Sequence, residues 1–259
     1  MRIATLLRAS HPQPSLAVTA MAATFASAAG HDRRGIARVA AAVGAGQLSV
    51  GWCNDWLDGA RDSAVGRTDK PVATGAVTTS QVRGAAVTAL VVSALASARL
   101  GAPGRRHLAA LASAWSYDLG VKSTAMSWAP YAVSFGLLPG VASPAGRTVP
   151  PRVTAAAALL GIGAHLANAL PDLDDDAATD VRNLATRIGR RPSQLGAAAA
   201  LLAGTALLTG VRRPAFAAAA GITVVGLAAA ETSRRPFLAA MAVAGLDVVL
   251  LVRRARVSR

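Results

Sequence analysis

Residues 35–62 read GIARVAAAVGAGQLSVGWCNDWLDGARD. Residues 35–53 are an apolar run of the length that crosses a bilayer as a helix, roughly 20 residues. The run then turns acidic without a break. Asn54, Asp58 and Asp62 recur every four residues, a spacing that puts side chains on one face of a helix. An apolar helix whose end carries an oxygen-rich stripe reads as a membrane span with chemistry at its mouth.

The rest of the chain repeats the theme. Of 259 residues, 53% are apolar and only 15% charged, against about 25% charged in a soluble domain. Nine apolar runs stand out: 14–30, 35–53, 83–101, 106–120, 127–144, 151–171, 193–211, 214–231 and 236–252. Pro, Gly and Arg punctuate them, and Pro just before or inside a run suits a helix start. The runs are rich in Ala and Gly, which let membrane helices approach closely. The expected fold is all-α: one domain over residues 1–259, a polytopic membrane bundle of about nine transmembrane helices. Arg2, Arg8 and the ending Ala26-Ser27-Ala28-Ala29 imitate a signal peptide. Pro12 and Pro14 ahead of the run, and the eight spans after it, favour a retained first helix.

The net charge of +14 raises nucleic acid as a partner. Its cations, however, stand in ones and twos between apolar runs, as in membrane loops, so no nucleic acid is expected. They divide almost evenly between the two faces, so the positive-inside rule gives no orientation. The single cysteine, Cys53, excludes a disulfide framework and a Cys-rich metal site.

The scarce acids are more informative. Nine of the thirteen lie in two segments: Asp55, Asp58, Asp62 and Asp69 after the second run, and Asp172, Asp174, Asp175, Asp176 and Asp180 after the sixth. With nine spans, both segments fall on one face of the membrane. In the second, Asn168, Asp172, Asp176 and Asp180 again recur every four residues, so a second helical stripe is expected. Two facing stripes make a cage of hard oxygen ligands suited to Mg²⁺ and substrate phosphates, not to zinc. The alternative is a pair of solvated Asp-rich loops bridged to Arg61, Arg182 and Arg187. Arg67, Lys70, Lys122 and Arg182 stand beside the acids, where a diphosphate would need cations. Trp52, Trp56, Trp115, Tyr117, Trp128 and Tyr131 all cluster on the same face, as a pocket or as an interfacial belt.

These residues resemble the UbiA superfamily of membrane prenyltransferases. NDxxDxxxD (Asn54 to Asp62) followed by RxxKPxxxG (Arg67 to Gly75) is similar to its first signature. NxxxDxxxD (Asn168 to Asp176) with Arg182-Asn183-Leu184-Ala185 is similar to its second, and Tyr117 to Lys122 to the segment between them. Lys70, Asp180 and Asn183 depart from the commoner Arg, Gly and Thr, and Asp174 and Asp175 are extra acids. The resemblance implies Mg²⁺-dependent transfer of an isoprenyl group from a prenyl diphosphate donor to a hydrophobic or aromatic acceptor in the membrane lipid. It implies metal binding by Asn54, Asp55, Asp58, Asp62, Asp172 and Asp176, with Asp55 and Asp180 at the margin. Arg67, Lys70, Lys122 and Arg182 would bind the diphosphate. Asp118 would orient the acceptor or take a proton, or be a solvated helix-end acid. It also implies a multi-pass protein of a bacterial cell membrane, with the acidic face in the cytoplasm. Competing readings are a terpene cyclase of the same fold, a phosphoribosyl transferase acting on a polyprenyl phosphate, and a cation-coupled transporter. His165 is read as packing. Asp247, deep in the last run, is read as a buried polar contact or as partner-facing.

Overall fold

The computed structural model describes residues 3–209, 213–228, 238–240, 242–247 and 249. Among these the chain forms helices and no strand. The helices are α1 (Ile3–Arg8), α2 (Pro12–Ala29), α3 (Arg33–Ala64), α4 (Thr79–Ala98), α5 (Ala102–Asp118), α6 (Ala129–Val141), α7 (Pro151–Ala169), α8 (Leu173–Ala178), α9 (Leu184–Ile188), α10 (Arg190–Thr209) and α11 (Pro214–Ala228). Helices α2 to α7, α10 and α11 lie on the first eight apolar runs. The end of the eighth run and part of the ninth lie outside the described residues, as do Arg2, Glu231, Arg234 and Arg235.

By length and composition, two of the described helices, α4 and α10, are apolar enough to cross a membrane. The expected count of nine is therefore not fixed by helix length. The physical reason is visible in the runs: α3 ends in carboxylates and α5 opens on Arg105, Arg106 and His107. Val87, Val91, Val92 and Leu95 on α4, and Leu195 and Leu207 on α10, stand exposed. Such apolar stripes are unfavourable against water and suit lipid.

The starts follow local chemistry. Pro sits in the first turn of α2, α5, α6 and α7, where its missing N–H costs nothing. Asp32 caps α3, accepting from the Gly35 N–H at 2.7 Å. Thr78 and Gln81 close a capping box on α4, satisfying two orphan donors. The main buried core joins α2, α3, α6, α7, α10 and α11. At Gly161, α7 comes so close to α6 that an added Cβ would lie 2.5 Å from the Tyr131 carbonyl oxygen.

Two features position the site. Helix α3 has 32 residues and so spans about 48 Å, more than the ~30 Å hydrocarbon core. Its last turns carry Asn54, Asp58 and Asp62 past the apolar run as one helical stripe, as expected. The second stripe is broken, contrary to expectation. Helix α7 stops at Ala169, because Pro171 cannot donate to a continuing ladder. Asn168 stays on α7, Asp172 sits at the bend, and Asp176 follows on α8, its N–H bonded to the Asp172 carbonyl at 2.8 Å. Asp180 takes a left-handed φ of 56°, a conformation Asp tolerates, and its carboxylate turns outward.

Candidate active site

The last turns of α3, the loop from Val65 to Thr78, the end of α5 and the α7–α8 bend converge on a cavity of about 540 Å³. Its mouth is polar, lined by Asn54, Asp58, Arg61, Asp62, Arg67, Lys70, Asp118, Asn168, Asp172 and Asp176. Its depth is apolar, walled by Val18, Val43, Leu111, Phe135, Leu138 and Ala164.

Cations stitch the two acid segments together. Arg67 is held by both oxygens of Asp69, at 2.8 and 3.0 Å, and reaches across to Asp172 at 2.9 Å. Arg61 pairs with Asp58 at 3.0 Å and lies 4.0 Å from Asp176. Lys122 makes a direct ion pair with Asp58. Lys70 donates to Asn54 Oδ1 at 3.1 Å and lies 3.5 Å from Asp55 and 3.8 Å from Asp62. The Asn54 amide donates to Asp58 at 3.1 Å and to Asp118 at 2.9 Å. Asn183, which caps α9, donates to Asp176 at 2.7 Å.

Burial sets the charge state of the mouth. It raises the Asp55 and Asp62 carboxyls above the usual range, with Lys70 opposing. It pushes Asp176 up to about 6 despite nearby Arg61. The exception is Asp69, lowered to about 2 by the bond from Arg67. Burial disfavours ionised carboxylates, and nearby positive charge restores them.

The structure thus brings together Asn54, Asp58, Asp62, Arg67, Lys70, Asp118, Lys122, Asp172 and Asp176. Two expected residues stand apart. Asp55 is fully buried behind Lys70 and does not line the cavity, because it sits one position off the Asn54 stripe. Arg182 pairs with Asp180 at 2.7 Å with its side chain 71% exposed, since the break at Pro171 carries this segment outward. Of the six tryptophan and tyrosine residues, Tyr117 and Tyr131 line the cavity, packed edge to face at 5.3 Å. The Trp52 indole donates to the Leu6 carbonyl at 2.7 Å and that of Trp115 to Ser49 at 3.1 Å. His165 sits behind the two tyrosines and bonds Ser127, whose hydroxyl accepts from the Leu184 N–H, a packing role as expected. Asp247 accepts from Thr205 at 3.1 Å, a buried polar contact.

Sequence reasoning missed His11. It caps α2 in a left-handed conformation, φ 52°, lines the cavity, and places Nε2 2.9 Å from the Lys70 ammonium. Its sequence distance from Lys70 left no signal beyond a lone His before Pro12.

The donor set suits a hard divalent cation. All the candidate ligands are carboxylate or amide oxygens, and at this mouth carboxylates outnumber cations. Asp62 Oδ2 and Asp118 Oδ2 are buried with no hydrogen-bond partner among the described residues. As they stand, no three acidic, His or Cys side chains among the described residues converge on a single point. Lys122, Arg61 and Asn54 occupy Asp58, and Arg67 occupies Asp172.

The fold has close counterparts among solved structures. A UbiA homolog from Archaeoglobus fulgidus bound to GPP and Mg²⁺ superposes with a TM-score of 0.73 at 15% identity, covering 98% of each chain. The apo form of a UbiA homolog from Aeropyrum pernix K1 gives 0.75 at 18% identity, covering 93% of this chain and 98% of that one. A structure of digeranylgeranylglyceryl phosphate synthase gives 0.69 at 12% identity, covering 98% of each. No curated protein matches the sequence. A sequence model of the UbiA prenyltransferase family matches residues 15–245. The chain belongs to the UbiA prenyltransferase family.

Proposed function

We propose that the protein transfers an isoprenyl group from a prenyl diphosphate to an aromatic or otherwise hydrophobic acceptor, with Mg²⁺ as cofactor. The observation that carries this reading is the shape of one cavity: an acid-and-cation mouth opening directly onto an apolar chamber. A diphosphate with a hydrocarbon tail matches both halves. The homologs solved with GPP or DMAPP and Mg²⁺ support the same donor.

In this reading Asn54, Asp58, Asp62, Asp172 and Asp176 hold the metal, and the metal when bound supplies positive charge to a departing diphosphate. Arg67, fixed by Asp69, presents its fork to the outer oxygens. Lys70, fixed by Asn54 and His11, presents a second positive charge, and Lys122 a third. Preorganised cations stabilise charge that develops on the leaving group. The allylic C–O bond breaks, the diphosphate keeps the electron pair, and the acceptor forms a new bond to that carbon. Tyr117 and Tyr131, which line the cavity, stabilise the cation through their rings. Asp118, which lines the cavity, takes the acceptor proton. Arg182 and Asp55 lie outside this set.

We further propose nine spans in one domain, with the acidic face on the cytoplasmic side of a bacterial cell membrane, where soluble prenyl diphosphates would reach it. Incubation with prenyl diphosphates of several lengths and a panel of aromatic acceptors, read by product mass spectrometry, tests the reaction. Prenylated acceptor is expected. Cyclised hydrocarbon formed without acceptor would support the cyclase instead, a reading to which Phe135 on the chamber wall lends some support.

A further inference from the structure

The apolar chamber is not uniformly apolar. Gln47 of α3 and His107 of α5 line it below the mouth, as does Ser134 of α6, whose hydroxyl donates to the Ala110 carbonyl at 2.9 Å. Gln47 is seven residues before Asn54, on the same helix face and about 10 Å deeper. His107 is 5% exposed, and the ring edge that carries Nε2 lies against Gly46. An added Cβ there would stand 3.2 Å from Nε2.

The hydrogen bonds around His107 fix its tautomer. Ser97 Oγ lies 2.7 Å from the Ser93 carbonyl and 2.7 Å from His107 Nδ1. A carbonyl only accepts, so the single hydroxyl proton of Ser97 goes to Ser93. His107 Nδ1 must then be the donor, and Nε2 carries a lone pair. Among the described residues Nε2 has no protein partner, nor does the Gln47 amide, and neither is sealed off from the cavity. The chamber wall therefore offers a lone pair beside Gly46 and, on the next residue of α3, an amide with both donor and acceptor capacity. A plain hydrocarbon in contact with that wall leaves these groups unsatisfied, at a cost. A hydroxyl satisfies both, donating to Nε2 and pairing with Gln47.

We propose that His107 and Gln47 form a hydroxyl-recognition subsite for an oxygenated isoprenoid donor. Its hydroxyl sits on the chain about 10 Å from the diphosphate, two helical turns below Asn54. The proposal rests on the diphosphate being held at the mouth, as argued above. A chain anchored there must run past this level, whereas an acceptor has its reacting atom near the mouth.

Equilibrium binding to the purified full chain with Mg²⁺ tests the subsite, using geranyl diphosphate and its counterpart hydroxylated on a terminal methyl. The hydroxylated ligand is expected to bind about tenfold or more tighter. In Gln47→Leu and, separately, His107→Leu, that preference collapses, largely because the plain chain binds better. Equal affinities in the unaltered protein would overturn the subsite while leaving the diphosphate reading intact, as would a preference that survives both substitutions. Absence of Mg²⁺-dependent binding by either ligand would overturn both.

Discussion

Asp58 ties together three neighbours at the mouth. Its carboxylate receives Lys122, Arg61 and Asn54, so it fixes three neighbours as well as offering oxygens to a metal. Asp58→Ala should lower turnover at least about a hundredfold while the purified protein keeps its helical circular dichroism and elutes as a single species. Asp172→Ala, which removes the contact that ties Arg67 to the second acid segment, should do the same. His11→Ala removes one of the groups that hold Lys70. It should raise KM for the prenyl diphosphate about two- to tenfold and leave kcat nearly unchanged, as steady-state kinetics would read. A proton competes with a metal at Asp176. Its carboxyl, raised to about 6, is mostly ionised at pH 7 and mostly protonated at pH 5. Half-saturating Mg²⁺ should therefore rise about tenfold over that interval, and the rise should shrink in Asp176→Asn. Much of this scale was legible in the sequence, because four-residue spacing on α3 maps directly onto one helix face. His11 was not, because nothing local ties it to a lysine far along the chain.

At the scale of elements, a helix boundary decides which acids meet. The α3 stripe survives as expected because no breaker interrupts 54–62. The second stripe was misread because four-residue spacing alone ignores Pro171, which ends α7 and turns the chain. The break is useful: it lets Asp172 face Arg67 and sends Asp180 and Arg182 outward. The aromatic cluster was half legible for a similar reason. The Trp52 and Trp115 indoles bond a backbone carbonyl and a hydroxyl of other helices, and the two tyrosines line the cavity. The N-terminal segment docks where Gly51 meets the Ser10 carbonyl; an added Cβ would lie 2.0 Å from that oxygen. Gly51→Ala should cost about 1–3 kcal/mol, seen as a lower unfolding temperature in detergent. It should also weaken diphosphate binding, because His11 follows Ser10.

At the scale of the whole molecule, the charge distribution and the cavity agree. A chain with few acids places most of them at one end of a helical bundle, above an apolar chamber, with arginine and lysine interleaved. Apolar runs foretold the helices, and their Ala and Gly content the close packing. The number of spans could not be read from helix length, because several helices mix apolar turns with charged ends. The central claim is that the mouth binds a prenyl diphosphate through Mg²⁺. It is tested most directly by titrating geranyl diphosphate into the purified protein with Mg²⁺ and again with excess EDTA. The account predicts saturable binding with Mg²⁺, loss of it with EDTA, and recovery when Mg²⁺ is restored. Binding that is indifferent to the chelator, or absent in both conditions, would contradict it.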